Sequence, residues 1–157
     1  MKVKKLAAFL LCLTVTVSSL TGAIYTQAAN TAAVLYVSDS GADTADGQTP
    51  ETPLQSVGKA IELLDKTQSS ERTVCVIGIA TVSAHLPTHT QAVRIEGNDA
   101  AAKLVLTRDI RINGPLSLDS IRLSTGGNPL LCDRNALHIG AGVTVEGTAP
   151  GIVSGYQ

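Results

Sequence analysis

Aromatic side chains are almost missing from this 157-residue chain, which has no Trp, one Phe and three Tyr. Phe9 and Tyr25 both precede Ala29, so a chain starting at Ala29 keeps only Tyr36 and Tyr156. A core without rings must be filled by Val, Ile, Leu and Ala, and a sugar-binding platform of stacked aromatic faces is excluded. Cysteine is scarce too: beyond Cys12 there are only Cys75 and Cys132, in the apolar runs TVCVIG and PLLCDR. One pair defines no disulfide framework, and buried thiols are preferred there over a Cys75–Cys132 bridge. A basic block is also lacking. From Ala29 onward the chain carries nine Lys and Arg against 13 Asp and Glu, a net charge of −4, so no nucleic-acid partner is expected.

Long apolar runs are absent as well. The greasiest stretch, from Leu6 to about Val17, is shorter than the roughly 20 residues of a membrane span. It follows Lys2, Lys4 and Lys5 and leads into small and polar residues, the layout of a secretory signal peptide. Thr26 and Ala28 suit the −3 and −1 positions of a cut after Ala28, with Ala23 and Ala29 as alternative sites. Cys12 lacks the small residues before it that a lipid-anchor site would need. The chain is therefore divided into a signal peptide, 1–28, and one exported domain, 29–157. The product is expected outside the cell or on its surface, and not spanning the membrane after cleavage.

What is present is a change of texture. AVLYV (33–37) reads as a strand, and SDSGADTADGQTPETP as a turn-rich loop. In LQSVGKAIELLDK, Leu54, Val57, Ala60, Ile61 and Leu64 recur at three- and four-residue spacings. They form one apolar stripe of a short helix at about 56–66, with Ser56 as N-cap and Lys66 near its negative end. After Ser70 come TVCVIG, AVRIEG, KLVLTRDIRING, LSLDSIRLSTGG, NALHIGAGVTVEG and GIVSG, short alternating runs each closed by Gly or Asn. The steps from Val74 to Val93, Val93 to Ile110, Leu104 to Ile121 and Ile121 to Val143 recur at roughly 20 residues, a period that predicts the rungs of a solenoid. An antiparallel sandwich is the competing architecture. One aliphatic ladder is expected from Val74/Val76, Val93/Ile95 and Ile110/Ile112, with Cys75, Arg94 and Arg111 pointing the other way.

The stretch LYVSDSGADTADGQTPETPLQSVGKAIELL resembles the start of secreted bacterial right-handed parallel β-helix proteins of the pectate-lyase-like superfamily. Those chains open with a strand, a G-x-D-x-x-D-G turn, an x-P-x-x-P segment and a helix ending in K-A-I. Here Gly41, Asp43, Asp46, Gly47, Pro50, Pro53, Lys59, Ala60 and Ile61 match. The resemblance covers about residues 34–147, the part from His85 to Gly127 being similar to the first coils. It implies an all-β solenoid, a right-handed parallel β-helix with a short N-terminal capping α-helix. It is specific for fold and not for activity, since such proteins include polysaccharide lyases, glycoside hydrolases and proteins without known chemistry. Two functions are expected of it. The first is a scaffold and cap that contacts extracellular polysaccharide or a surface protein; the second is the N-terminal part of a lyase or hydrolase whose active coils follow Gln157.

Asp39, Asp43 and Asp46 are the candidate metal ligands, because Ca²⁺ takes carboxylate oxygens from loops. Their spacing is not that of an EF-hand, and the preferred reading is three turn-forming carboxylates bonded to nearby amides. His85 and His89 flank Pro87, which breaks the helix that a zinc-protease pair would need, so HLPTH is expected as a solvated turn. His138 is expected to point out of a strand. For sugar chemistry Asp109, Asp119, Asp133 and Glu146 supply carboxylates and Arg108, Arg111 and Arg122 cations, but no spacing singles out an acid–base pair. Gly140-Ala141-Gly142 is expected as a turn without a phosphate-binding helix.

Overall fold

A computed structural model describes residues 32–133, 136–148 and 151–154. The expected signal peptide, 1–28, lies outside these residues. Among the described residues, twelve strands are arranged in three parallel sheets around one aliphatic core, a parallel β-solenoid of about four turns with a single short helix. One sheet contains β1 (Ala33–Val37), β2 (Arg72–Val76), β4 (Val93–Gly97), β7 (Leu116–Asp119) and β10 (Leu137–Ile139), stacked in that order. A second stacks β3 (Ile79–Val82), β5 (Lys103–Leu106), β8 (Arg122–Ser124) and β11 (Thr144–Glu146). The third stacks β6 (Ile110–Ile112), β9 (Leu130–Cys132) and β12 (Ile152–Ser154). All these pairings are parallel, which the competing sandwich would not produce.

The ladders differ from the sequence expectation. Val74 faces Ile95, not Val93, and the column runs Leu35, Val74, Ile95, Leu118, Ile139. Ile110 and Ile112 belong to the third sheet, paired with Leu130 and Cys132. The cause is that each turn carries up to three apolar-x-apolar strands of the same texture. A step such as Val93 to Ile110, from one sheet to another, therefore mimics a full turn. The true turns of the first sheet run from Val74 to Ile95, from Ile95 to Leu118 and from Leu118 to Ile139, and each is longer than that step. Alternation survives: Cys75 and Arg94 lie on the outward register of the first sheet and Arg111 on that of the third. Cys75 is nevertheless buried, its Sγ 3.9 Å from Asn98 Oδ1.

The helix α1 spans Val57–Asp65, as the stripe predicts. Ser56 is its N-cap, accepting the Lys59 amide on Oγ, and Val57, Ala60, Ile61 and Leu64 are its buried residues. They pack on β1, β2 and β3. Arg72, which the sequence did not single out, closes the other end. Its guanidinium donates to the Leu64 and Thr67 carbonyls at 3.1 and 3.0 Å, satisfying acceptors that a helix C-terminus leaves open. The loop ahead of the helix covers the edge of β1: Leu54 bridges Val37, the Tyr36 amide donates to Gly47, and the Leu54 amide donates to Tyr36. Gly41 makes this possible, because a Cβ there would run into the Pro53 and Leu54 carbonyls.

Candidate functional site

The three candidate metal ligands do not converge. Asp39 accepts the Thr81 amide and hydroxyl, both at 2.7 Å, tying the end of β1 to β3. Asp43 accepts the Gln55 and Ser56 amides at 3.0 and 2.8 Å and the Ser56 hydroxyl at 2.7 Å. Asp46 accepts the Gln48 amide at 3.1 Å and the Thr52 hydroxyl at 2.8 Å. Each carboxylate completes its own turn, and among the described residues no three His, Cys, Asp or Glu side chains gather as a metal site. Burial pulls the Asp43 carboxyl up, but the Ser56 hydroxyl and the Ser56 and Gln55 amides outweigh it and hold it below its ordinary value. Asp46 is lowered by the Gln48 amide and the Thr52 hydroxyl.

The two histidines of HLPTH part company. His85 is exposed, and its Nδ1 accepts the Arg111 amide at 3.0 Å. A ring nitrogen that accepts has no proton, so the neutral ring carries its N–H on Nε2. His89 corrects the expectation of a solvated turn: it is buried, with Nδ1 3.0 Å from the Pro87 carbonyl and Nε2 3.1 Å from the Pro115 carbonyl. The physical reason is that β6 begins the third sheet, so its free edge needs a cover on the N-terminal side. The 86–89 segment supplies it through Leu86 N to Arg111 O, His89 N to Asn113 O and Asn113 Nδ2 to Leu86 O.

A groove of about 510 Å³ lies between the first half of α1 and the segment following β3. Its wall is made rigid by Asp43, Ser56 and Thr81, whose polar atoms are already engaged as described. Four other polar groups line it: Lys59, Glu62, Ser83 and His85. Lys59 and Glu62 form a loose pair at 3.9 Å with side chains 38% and 51% exposed, a geometry that contributes little to stability. The Ser83 hydroxyl has no protein partner among the described residues, and Val57, Val82 and Pro87 supply the apolar part.

The carboxylates considered for sugar chemistry stand on different faces. Asp109 sits in the turn between β5 and β6, Asp119 at the outer end of β7, Asp133 just after β9, and Glu146 on β11. Asp119 accepts the neighbouring Ser120 hydroxyl at 3.2 Å. Glu146 receives Arg122 through Nε at 2.7 Å and Nη2 at 2.5 Å, and Lys103 Nζ at 3.1 Å, so one carboxylate clasps two preceding turns. Arg122 first and Lys103 second hold its carboxyl below its ordinary value. Arg108 is exposed beside Asp109, and Arg111 faces outward on the third sheet. His138 is exposed on β10, opposite Ser117, as expected, and Gly140-Ala141-Gly142 is a turn between strands. Cys75 and Cys132 are free thiols on different sheets, both raised above the ordinary thiol value by burial and secondarily by Glu96 and Asp133.

No helix among the described residues is long and apolar enough to cross a membrane. No protein-family model, curated protein or solved structure matches this chain.

Proposed function

We propose that this chain is an exported β-helix module of the pectate-lyase-like kind, in which the described residues act as scaffold and N-terminal closure and contact extracellular polysaccharide or a surface protein. The observation that carries the scaffold reading is the use made of the motif residues. Asp43 and Asp46 are spent on turns, Gly41 on a close approach, and Ala60 and Ile61 on the core beneath the helix. The binding reading is supported by outward polar positions on the four strands of the first sheet that follow β1, Thr73, Arg94, Ser117 and His138, with Val34 of β1 the apolar start of that column. They lie about 4.8 Å apart, and a line of hydrogen-bonding groups at that interval suits an extended polar polymer.

The test is retention of purified 29–157 on a panel of insoluble polysaccharides and on intact cells, with elution by soluble oligosaccharides. Specific retention is the expected result, and no retention on any of them would overturn the reading. N-terminal sequencing of the exported product, expected to begin at Ala29, tests the export half. The second reading is the N-terminal part of a polysaccharide lyase or glycoside hydrolase with active coils beyond Gln157. It is favoured by the last described turn, where Ile139 and Val145, in register with the buried Leu118 and Leu123, present an exposed apolar face. Release of unsaturated or reducing sugar ends by the whole gene product would separate the two.

A further inference from the structure

We infer that the groove between α1 and the segment after β3 is a binding site for an uncharged polyhydroxylated ligand of about one sugar ring. This inference rests on the glycan-binding reading above and assigns it a place. The groove, of about 510 Å³, falls in the range of small-ligand sites. It has no aromatic wall, so affinity must come from hydrogen bonds and not from ring stacking.

The groove separates its polar groups into two sets. Asp43, Ser56 and Thr81 are already engaged by protein partners and form one wall. Glu62, Lys59, Ser83 and the Nε2 side of His85 keep hydrogen-bonding capacity for a ligand. Together they offer a carboxylate acceptor, an ammonium donor, a hydroxyl that does either, and an N–H whose position is set by the Arg111 amide on the opposite nitrogen. Vicinal hydroxyls are both donors and acceptors and match this mixture. A simple anion would meet the Glu62 and Asp43 carboxylates, and a simple cation would meet Lys59, so an ionic ligand faces a like charge in either case. His85 is the directing donor and Glu62 the directing acceptor.

The experiment is a two-dimensional amide NMR titration of 29–157 with glucose, N-acetylglucosamine and, as ionic probes, acetate and inorganic phosphate. Affinities of single sugars at such a site are expected near the millimolar scale, so titrations run to tens of millimolar. A neutral sugar should shift the Lys59, Ser83 and His85 amides saturably. Glu62→Gln and Ser83→Ala, neither of which holds the fold, should each weaken that binding, Glu62→Gln by about tenfold. Asp109→Asn, on a distant turn, should not. No shift with either sugar, or shifts only with acetate or phosphate, would overturn the site. Saturable shifts confined to strands of the first sheet would also overturn it, while leaving glycan binding by the module intact. A saturable groove response without retention on any polysaccharide would support the site and overturn polymer binding by the module.

Discussion

The two ends of the solenoid are built from the same strand chemistry and finished differently. At the N-terminal end, Val37 and Leu54 are fully buried beneath the acidic loop and α1. At the other end, Ile139 and Val145 occupy the same kind of inward column yet are 40% and 48% exposed, while Leu118 and Leu123, one turn earlier, are fully buried. A rung does not bury its own side chains. Burial comes from the neighbour on each side, and an end is stable only when something with a matching apolar face and hydrogen-bonding edge lies on it.

Five measurements would break or sharpen this contrast. The largest effect is expected at the closed end, where Ile61→Asp places a carboxylate in the aliphatic core under the cap. It should lower the stability of 29–157 by about 4 kcal/mol or more in urea unfolding, and a loss below about 1 kcal/mol would show that the helix is not a cap. Next is the paired substitution of two members of one column. Leu118→Ala should cost about 2–5 kcal/mol, whereas Ile139→Ala should cost under about 1 kcal/mol, and equal losses would mean that the last turn is covered. Asp43→Ala removes the link from loop to helix start and should cost about 1 kcal/mol, the loss typical of a helix cap, with helical circular dichroism falling in parallel.

The smallest effect is in acid. Asp43, Asp46 and Glu146 all titrate below their ordinary values in the folded chain, so protons bind the unfolded chain more readily. The stability they contribute is present above the ordinary carboxylate range and lost as pH falls through their folded values, beginning below about pH 4.5. The melting temperature should therefore hold down to about pH 4.5 and fall from there to about pH 3, and Glu146→Gln should flatten part of the decline. In the same apparatus, millimolar Ca²⁺ should leave the melting temperature unchanged, and a rise would restore the acidic loop as a metal site.

Several features of this outcome were legible in the residues and others were not. The helix was, because Leu54, Val57, Ala60, Ile61 and Leu64 carry a helical period and Ser56 is an N-cap residue by chemistry. The existence of rungs was, since apolar-x-apolar runs recur at near-regular intervals along the chain. Their assignment to sheets was not, because strands of all three sheets share that pattern and only hydrogen-bonded register tells them apart. The groove was equally out of reach. Lys59 and Glu62 are on the helix, Ser83 and His85 lie well downstream, and nothing local marks them as neighbours. His89 misled for a related reason: its polar, proline-broken surroundings read as a wet turn, while the carbonyls of Pro87 and Pro115 make it a buried one.

What the sequence determined by itself is the material: aliphatic without rings, alternating in short runs, punctuated by Gly and Asn, and led by a turn-rich segment and one amphipathic stripe. That is enough for a stack of short strands, because side-chain alternation is a local property of the chain. What only the tertiary structure decided is which strand lies above which, which carboxylate completes which turn, and which polar groups are left over at the groove. Those depend on contacts between residues far apart along the chain, made only when the coil closes.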